Sequence, residues 1–510
     1  MEFDMKYTNP VISGFNPDPS ICKVGEDYYL VTSTFEYFPG IPIYHSIDLV
    51  NWEHIGNAVT RKSQLPFEKT KPSGGIWAPT IRYGNEKFYI TATFSEGGNF
   101  IISAEDPCGE WSDAVWTEMD GIDPSMLFDD GKMYYCANDC GSRGKLHETE
   151  GISVAEMDPD SGKIIGEIKR VWNGTGGGWI EAPHIYHIGD WYYIIAAEGG
   201  TGVRHTEVEA RSRSIWGPYE SCPHNPILTN RNDTDKQAAC CGHADLIQEA
   251  DGKWWMVHLA TRPYTSGKSP LGRETFLIPV AWQDGWFFAK GKKARIENDA
   301  PACVIQSRTK VREFDFADKE WEPEWLFIRG IDERNIVRGE GKLILCPSGV
   351  KLSDTYGTPS FAAVRQYDFN CAAEAEMEYK PQNNGDEAGM AIYLTPQNIY
   401  RICKKREDGK NYIIVLKQAD DFKQEIYRAE VSEGRLQFRI EADKQKYSFS
   451  YSVNGVDFIS AGEASAKFLT TEVADRCFTG TVIGVYAEAD SKTTAEAVIY
   501  NFKIALNQEI

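Results

Sequence analysis

Ala182-Pro183-His184 is followed within about ten residues by the aromatic pair Trp191-Tyr192, which closes a strand, and the same pairing recurs four more times. Asp18-Pro19-Ser20 leads to Tyr28-Tyr29, Ala78-Pro79-Thr80 to Phe88-Tyr89, Asp123-Pro124-Ser125 to Met133-Tyr134, and His243-Ala244-Asp245 to Trp254-Trp255. Successive copies lie roughly 45 to 60 residues apart, and each holds several short apolar runs split by Gly-Asp, Asn-Glu or Asp-Gly turns. This period predicts four-stranded blades and hence a five-bladed β-propeller. No long amphipathic helical period interrupts it.

Equivalent positions in radially repeated blades converge on the axis, so the starts of the five first strands face one central pocket. Those starts carry Asp18, Trp77, Asp123, Glu181 and His243. Gathering like charges about an axis costs free energy unless function or a cation compensates. The three acids therefore read as chemistry. An Asp before Pro-Ser can also serve as a local turn cap, which would account for Asp18 or Asp123 taken singly. Turn chemistry does not require both at one offset, with Glu181 one place ahead of the equivalent Ala182.

Composition sets outer limits. At 510 residues the chain exceeds one ordinary core, which predicts two domains. A net charge of −21 argues against nucleic acid or an anionic membrane surface as partner, and leaves small neutral ligands open. The 14 Trp and 25 Tyr suit strand packing and stacking on sugar faces alike. The start, Met1-Glu2-Phe3-Asp4-Met5-Lys6, shows no basic segment ahead of an apolar run, so the chain is expected to be cytoplasmic. Twelve scattered cysteines, with Cys240-Cys241 adjacent, suit free thiols rather than a disulfide framework or a zinc site. Gly174 to Gly178 lacks the Gly-Lys-Ser/Thr of a phosphate loop and reads as a flexible connection.

The repeats fill residues 1–300, with a polar, basic linker over about 291–312 that begins Gly291-Lys292-Lys293. Beyond it the repeat stops. Alternating strands such as Ala373 to Tyr379, Tyr412 to Leu416, Tyr447 to Val453 and Val482 to Ala487 predict a β-sandwich over 312–510.

Two opposed carboxyl groups are the minimum equipment for glycoside hydrolysis, one donating a proton to the leaving oxygen and one ionised to activate water or attack the sugar. A third acid can raise the donor's pKa and hold its rotamer. Asn16-Pro17-Asp18-Pro19-Ser20, Gly75-Ile76-Trp77-Ala78-Pro79, Ile122-Asp123-Pro124-Ser125, Trp179-Ile180-Glu181-Ala182-Pro183-His184 and Gly242-His243-Ala244-Asp245 together resemble glycoside hydrolase family 43. Trp254 through Pro263 and Leu271-Gly272-Arg273-Glu274-Thr275 resemble its two-domain β-xylosidases in particular, and the C-terminal half is similar to their concanavalin-like sandwich.

The resemblance implies an inverting exo-glycosidase that releases terminal β-D-xylose from xylo-oligosaccharides. Asp18 is then the general base, Glu181 the general acid, and Asp123 the residue that tunes and orients the acid. It further implies that Phe35 and Trp77 wall the pocket and that Arg273 bonds sugar hydroxyls. His243 supports the site from beneath, and Phe478 reaches in from the sandwich. The plainer alternatives are core packing for Phe35, Trp77 and Phe478, a satisfied core residue for His243, and a surface ion pair with Glu274 for Arg273. No organic cofactor and no metal ligand set is expected, and no cluster spells a calcium loop, although a calcium ion near the axis stays open. Homo-oligomerisation is likewise open. An α-L-arabinofuranosidase is the nearest alternative activity, alone or combined with xylosidase action. A non-catalytic carbohydrate-binding propeller is a further one, and a retaining fructan-active propeller lacks its Arg-Asp-Pro and Glu-Cys signatures here.

Overall fold

The computed structural model describes residues 6–139, 150–233, 237–263, 269–301, 304–307, 311–474 and 477–506. Among them helix is confined to three short 3-10 turns, Phe67–Lys69, Lys290–Lys292 and Ala466–Leu469. The N-terminal half holds five antiparallel sheets, each with a path of four strands in chain order. Their first strands are Ser20–Val24, Ile76–Gly84, Ile122–Asp129, Glu181–Ile188 and Ala239–Gln248. Each first strand packs against that of the next sheet, and the fifth returns to the first, which gives a radial, propeller-type body. The aromatic pairs sit on the second strands, where Tyr28, Phe88, Tyr89, Met133 and Trp255 are buried between sheets. The N-terminal Lys6–Thr8 pairs with Glu297–Asp299, which ties the two ends of this half together.

The left-handed backbone at each sheet's start is the local feature that makes the pocket. Asp18, Ala78, Asp123, Ala182 and His243 have φ between 46° and 57°. A β-bulge interrupts pairing at this point in the second to fifth sheets, for example between Glu181 and His184. Left-handed non-glycine residues cost about 1–3 kcal/mol each and persist where surrounding structure over-determines them. The equivalent residues are therefore Ala78 and Ala182, and the two functional candidates Trp77 and Glu181 stand one place earlier. The bulge re-aims both positions, so side chains from two successive residues can turn toward the axis.

Beneath these starts the axis is filled by a polar network centred on Asp245, which is 0% exposed. Arg82 from the second sheet grips both its oxygens, at 2.8 and 3.0 Å. Ser20 Oγ and the Ile21 N–H of the first sheet donate to it at 2.7 and 3.0 Å, and Tyr186 of the fourth sheet donates its hydroxyl at 2.6 Å. Burial pushes His184 down to about 3, so its neutral ring accepts from Arg82 at 2.9 Å. Thr80 and Ser125 carry the seam onward by donating to the carbonyls of Pro124 and Pro183. Burial disfavours the Asp245 charge, but Arg82, His184 and Tyr186 outweigh it and hold the carboxyl well below the usual range.

The C-terminal half is two facing antiparallel sheets, one of eight strands and one of six. Their inner faces enclose an apolar core that includes Phe438, Ile440, Tyr447, Ile402 and Val485. Two of its strands, Phe422–Glu430 and Ile459–Ser465, carry few buried side chains and show no sequence alternation. Phe327–Ile328 of this half pairs with Tyr37–Phe38 of the first, so the halves share backbone hydrogen bonds. The ten cysteines among the described residues are unpaired thiols, and no helix there is long and apolar enough to cross a membrane.

Replacing Asp245 with Ala strands the Arg82 guanidinium in a dry axis. The expected loss is about 3–5 kcal/mol, read as a lower urea midpoint for the N-terminal half. Because the Asp245 pKa is lowered on folding, its contribution is complete above the unfolded value near pH ~4 and fades as pH falls through the folded value.

Candidate active site

Asp18 sits between the first and fifth sheets and is 5% exposed. Ser33 donates its hydroxyl to Oδ2 at 2.6 Å, and Arg273 donates Nη1–H to Oδ1 at 3.0 Å. The His243 Nδ1 lies 3.4 Å from the same oxygen. Burial opposes ionisation, but Arg273, His243 and Ser33 prevail and hold Asp18 below the usual carboxylate range. Ser33 also accepts the Ala78 N–H at 2.7 Å, and Thr93 Oγ1 accepts the Asp123 N–H at 3.1 Å. These two hydroxyls, Thr93 on a second strand and Ser33 just past the end of one, thus each secure the left-handed start of the next sheet.

Asp123 and Glu181 interact with each other, with Asp18 and with Arg273, so the three acids and one guanidinium share a single hollow. Burial pushes both upward, and repulsion adds to it. Glu181 rises to about 7, with Asp18 and Glu150 contributing, and Asp123 is raised well above its usual value by Glu181 and Asp18. The hollow therefore holds an ionised Asp18 facing a Glu181–Asp123 pair that keeps a proton near neutrality, the proton belonging to the pair.

Arg273 is buried between two rings, its guanidinium 5.8 Å from the centroid of Phe35 and 5.7 Å from that of Phe478. It is not paired with Glu274, which faces the other way along the strand and binds Arg262 at 2.7 and 2.9 Å. Phe35 is itself left-handed at φ 55° and bonds Ile76 through both backbone groups. Its ring centroid lies 6.2 Å from that of Phe478, so these residues, placed apart in sequence, form one aromatic wall. Trp77 is half-buried beside it, with Nε1–H donated to the Ser73 carbonyl at 3.0 Å. His243 is buried, and burial and Arg273 outweigh Asp18 to lower its pKa and keep the ring neutral. Sequence reasoning did not single out His205, whose Nδ1–H donates to the Cys240 carbonyl at 3.1 Å, while Nε2 is buried without a partner. Gly242 leaves room for that ring, since a Cβ there would lie 2.9 Å from it.

The glycine-rich stretch 174–178 is held rather than free. The buried Glu198 carboxylate accepts the Thr175 N–H and hydroxyl at 2.5 and 2.6 Å and the Gly177 N–H at 3.2 Å. No group of three or more His, Cys, Asp or Glu among the described residues is arranged to hold a metal ion.

Residues 7–287 match the model for glycosyl hydrolases family 43, and residues 313–504 match that for the beta xylosidase C-terminal concanavalin A-like domain. The chain belongs to glycoside hydrolase family 43. It is a glycosidase, with a family-43 propeller-type domain followed by a concanavalin-like one. It is 38% identical to a non-reducing end alpha-L-arabinofuranosidase of Bacteroides ovatus, over 97% of this chain and 94% of that one. A beta-xylosidase of Bacillus subtilis is 34% identical, over 96% and 97%. The solved structure titled Bacteroides ovatus xyloglucan PUL GH43B superposes with a TM-score of 0.93 at 37% identity, covering 98% of this chain and all of that one.

Within this family-43 site, substituting Arg273 by Met removes the countercharge from Asp18 and leaves burial to dominate. The acidic limb of the pH–rate profile is expected to move to higher pH, with kcat/KM lowered by about one to two orders of magnitude for a lost charged hydrogen bond.

Proposed function

We propose that the chain is an exo-acting, inverting β-xylosidase that removes terminal β-D-xylose from short xylo-oligosaccharides. The observation that carries this reading is the opposed electrostatics of one hollow: Asp18 held ionised by Arg273, and Glu181 pushed up to about 7. Asp18 is the general base. It takes a proton from a water that attacks the anomeric carbon, while Glu181 donates its proton to the departing glycosidic oxygen. Asp123, coupled to Glu181, keeps that proton in place until the bond breaks and holds the acid's position.

Inversion requires a water-sized gap between base and acid, a carboxyl separation of about 6.5–9.5 Å rather than the ~5 Å of a retaining pair. Phe35, Trp77, Arg273 and Phe478 close one side of the pocket, which favours a chain end over a mid-chain segment. His243 supports Asp18 from beneath. The five sheets are the blades of one catalytic propeller over residues 1–300, and residues 312–510 form the sandwich that supplies Phe478. The reaction needs only side chains and water, with no cofactor. The unpaired thiols fit a reducing cytoplasm, where imported oligomers rather than polymeric xylan are the substrate.

α-L-Arabinofuranosidase action is the second reading, favoured by the 38% identity to the Bacteroides ovatus relative of that name. Assays on the nitrophenyl glycosides of both sugars rank the two. Asp18→Ala and Glu181→Ala are expected to lower kcat by at least about 10²-fold, in line with the loss of a positioned acid or base. Unchanged hydrolysis in either variant overturns the mechanism. Proton NMR of the first-formed sugar is expected to show the inverted anomer.

The acid works only while protonated. kcat/KM is therefore expected to fall as pH rises through about 7, the value to which Glu181 is pushed, and to hold on the acidic side until Asp18 takes up a proton below the ordinary carboxylate range.

A further inference from the structure

Ser73 lies in the loop before the second sheet, 5% exposed and left-handed at φ 59°. Three of its polar atoms reach three parts of the pocket. Its Oγ accepts the backbone N–H of Phe478 at 2.9 Å, and its carbonyl accepts the Trp77 indole N–H at 3.0 Å. Its own N–H donates to the buried Glu36 carboxylate at 2.9 Å, and Glu36 is the chain neighbour of Phe35. One residue of no catalytic chemistry thus touches the segments that carry all three rings of the wall.

The surroundings fix the loop from the propeller side. Gly75, at φ 85°, passes so close to Phe35 that a Cβ would lie 2.1 Å from its carbonyl oxygen. Phe35 and Ile76 exchange backbone hydrogen bonds at 3.0 and 3.1 Å. The Phe478 segment is anchored separately. Gly480 abuts the Leu271 carbonyl, where a Cβ would lie 2.4 Å away, and the Thr481 N–H donates to the Pro270 carbonyl at 2.8 Å. Between these anchors the Phe478 peptide is held on both flanks, by Ser73 Oγ at its N–H and by Arg273 Nη2 at its carbonyl, 3.4 Å away.

We infer that Ser73 is a positioning residue that sets the gap between the Trp77 and Phe478 rings, and through it the affinity and choice of the terminal sugar. The inference rests on the pocket assignment proposed above. A gap of fixed width is pre-organised for one ring shape, so its cost is met before the sugar arrives and differs between a pyranose and a furanose. Without the Ser73 hydroxyl the sandwich segment keeps its anchor at Gly480 and Thr481, but its aromatic side chain loses its set against Trp77.

The test compares Ser73→Ala, Ser73→Gly and Ser73→Cys in the full chain. Alanine removes the hydroxyl and keeps the left-handed strain, whereas glycine removes both, so agreement between the two isolates the hydroxyl. Both are expected to raise KM and the inhibition constant of free xylose about fivefold, the weight of one net hydrogen bond, with kcat within about twofold. The ratio of xyloside to arabinofuranoside kcat/KM is expected to shift, the thermal midpoint to move by no more than a few degrees, and cysteine, a weak acceptor, to fall between wild type and alanine. Unaltered KM and sugar ratio in both alanine and glycine variants overturn the inference, as does a KM rise in alanine that glycine abolishes. Asp18→Ala and Glu181→Ala measured alongside separate the two layers: if they stay active the pocket assignment itself fails, and if they are inactive while Ser73 variants match wild type only the role of Ser73 fails.

Discussion

A single buried carboxylate, that of Asp245 on the fifth sheet, governs this molecule, because three of the other four sheets send a donor to it. Sheets arranged around an axis have little apolar surface to share at the centre, where the strands are closest and side chains must be few. A charge at that point is costly to dehydrate, and it persists because Arg82, Ser20, the Ile21 amide and Tyr186 satisfy it from different sides. The same contacts align the starts of the first strands, so the floor that closes the ring also sets the height at which Asp18, Asp123 and Glu181 emerge.

Above that floor the electrostatics separate. Asp18 receives a hydroxyl and a guanidinium, while Glu181 and Asp123 have burial and repulsion with little relief. Chemically identical groups thus acquire opposite protonation because only one of them contacts Arg273 directly. The arginine is placed by its own confinement between Phe35 and Phe478, so a residue from the C-terminal half takes part in deciding the charge state of an acid in the N-terminal half.

Much of this was legible in the chain. The five starts announce themselves because proline and aromatic residues mark turn and strand locally, and the acids sit at fixed offsets from those marks. The sandwich strands that face its core, such as Cys371–Tyr379, alternate visibly. What stayed hidden depends on pairing distant parts. Phe422–Glu430 lies on a sheet edge and shows no period, because one of its faces packs on nothing that requires apolar side chains. Arg82 reads as an ordinary strand cation until the fold brings Asp245 to it, and Ser73 gains meaning only when residues 36, 77 and 478 converge. One signal was present and unread: Ser33, Thr93 and Asn138 each follow the first residue of their aromatic pair by five positions, and each bonds the start of the neighbouring sheet.

The left-handed starts have a practical corollary. Nature has already placed alanine in this left-handed geometry at residues 78 and 182, within the same ring of strand starts. Truncating Asp18 or Asp123 to a methyl group therefore asks of the main chain only what two sister positions accomplish, so the shortened chains are expected to keep the path of the backbone around the axis.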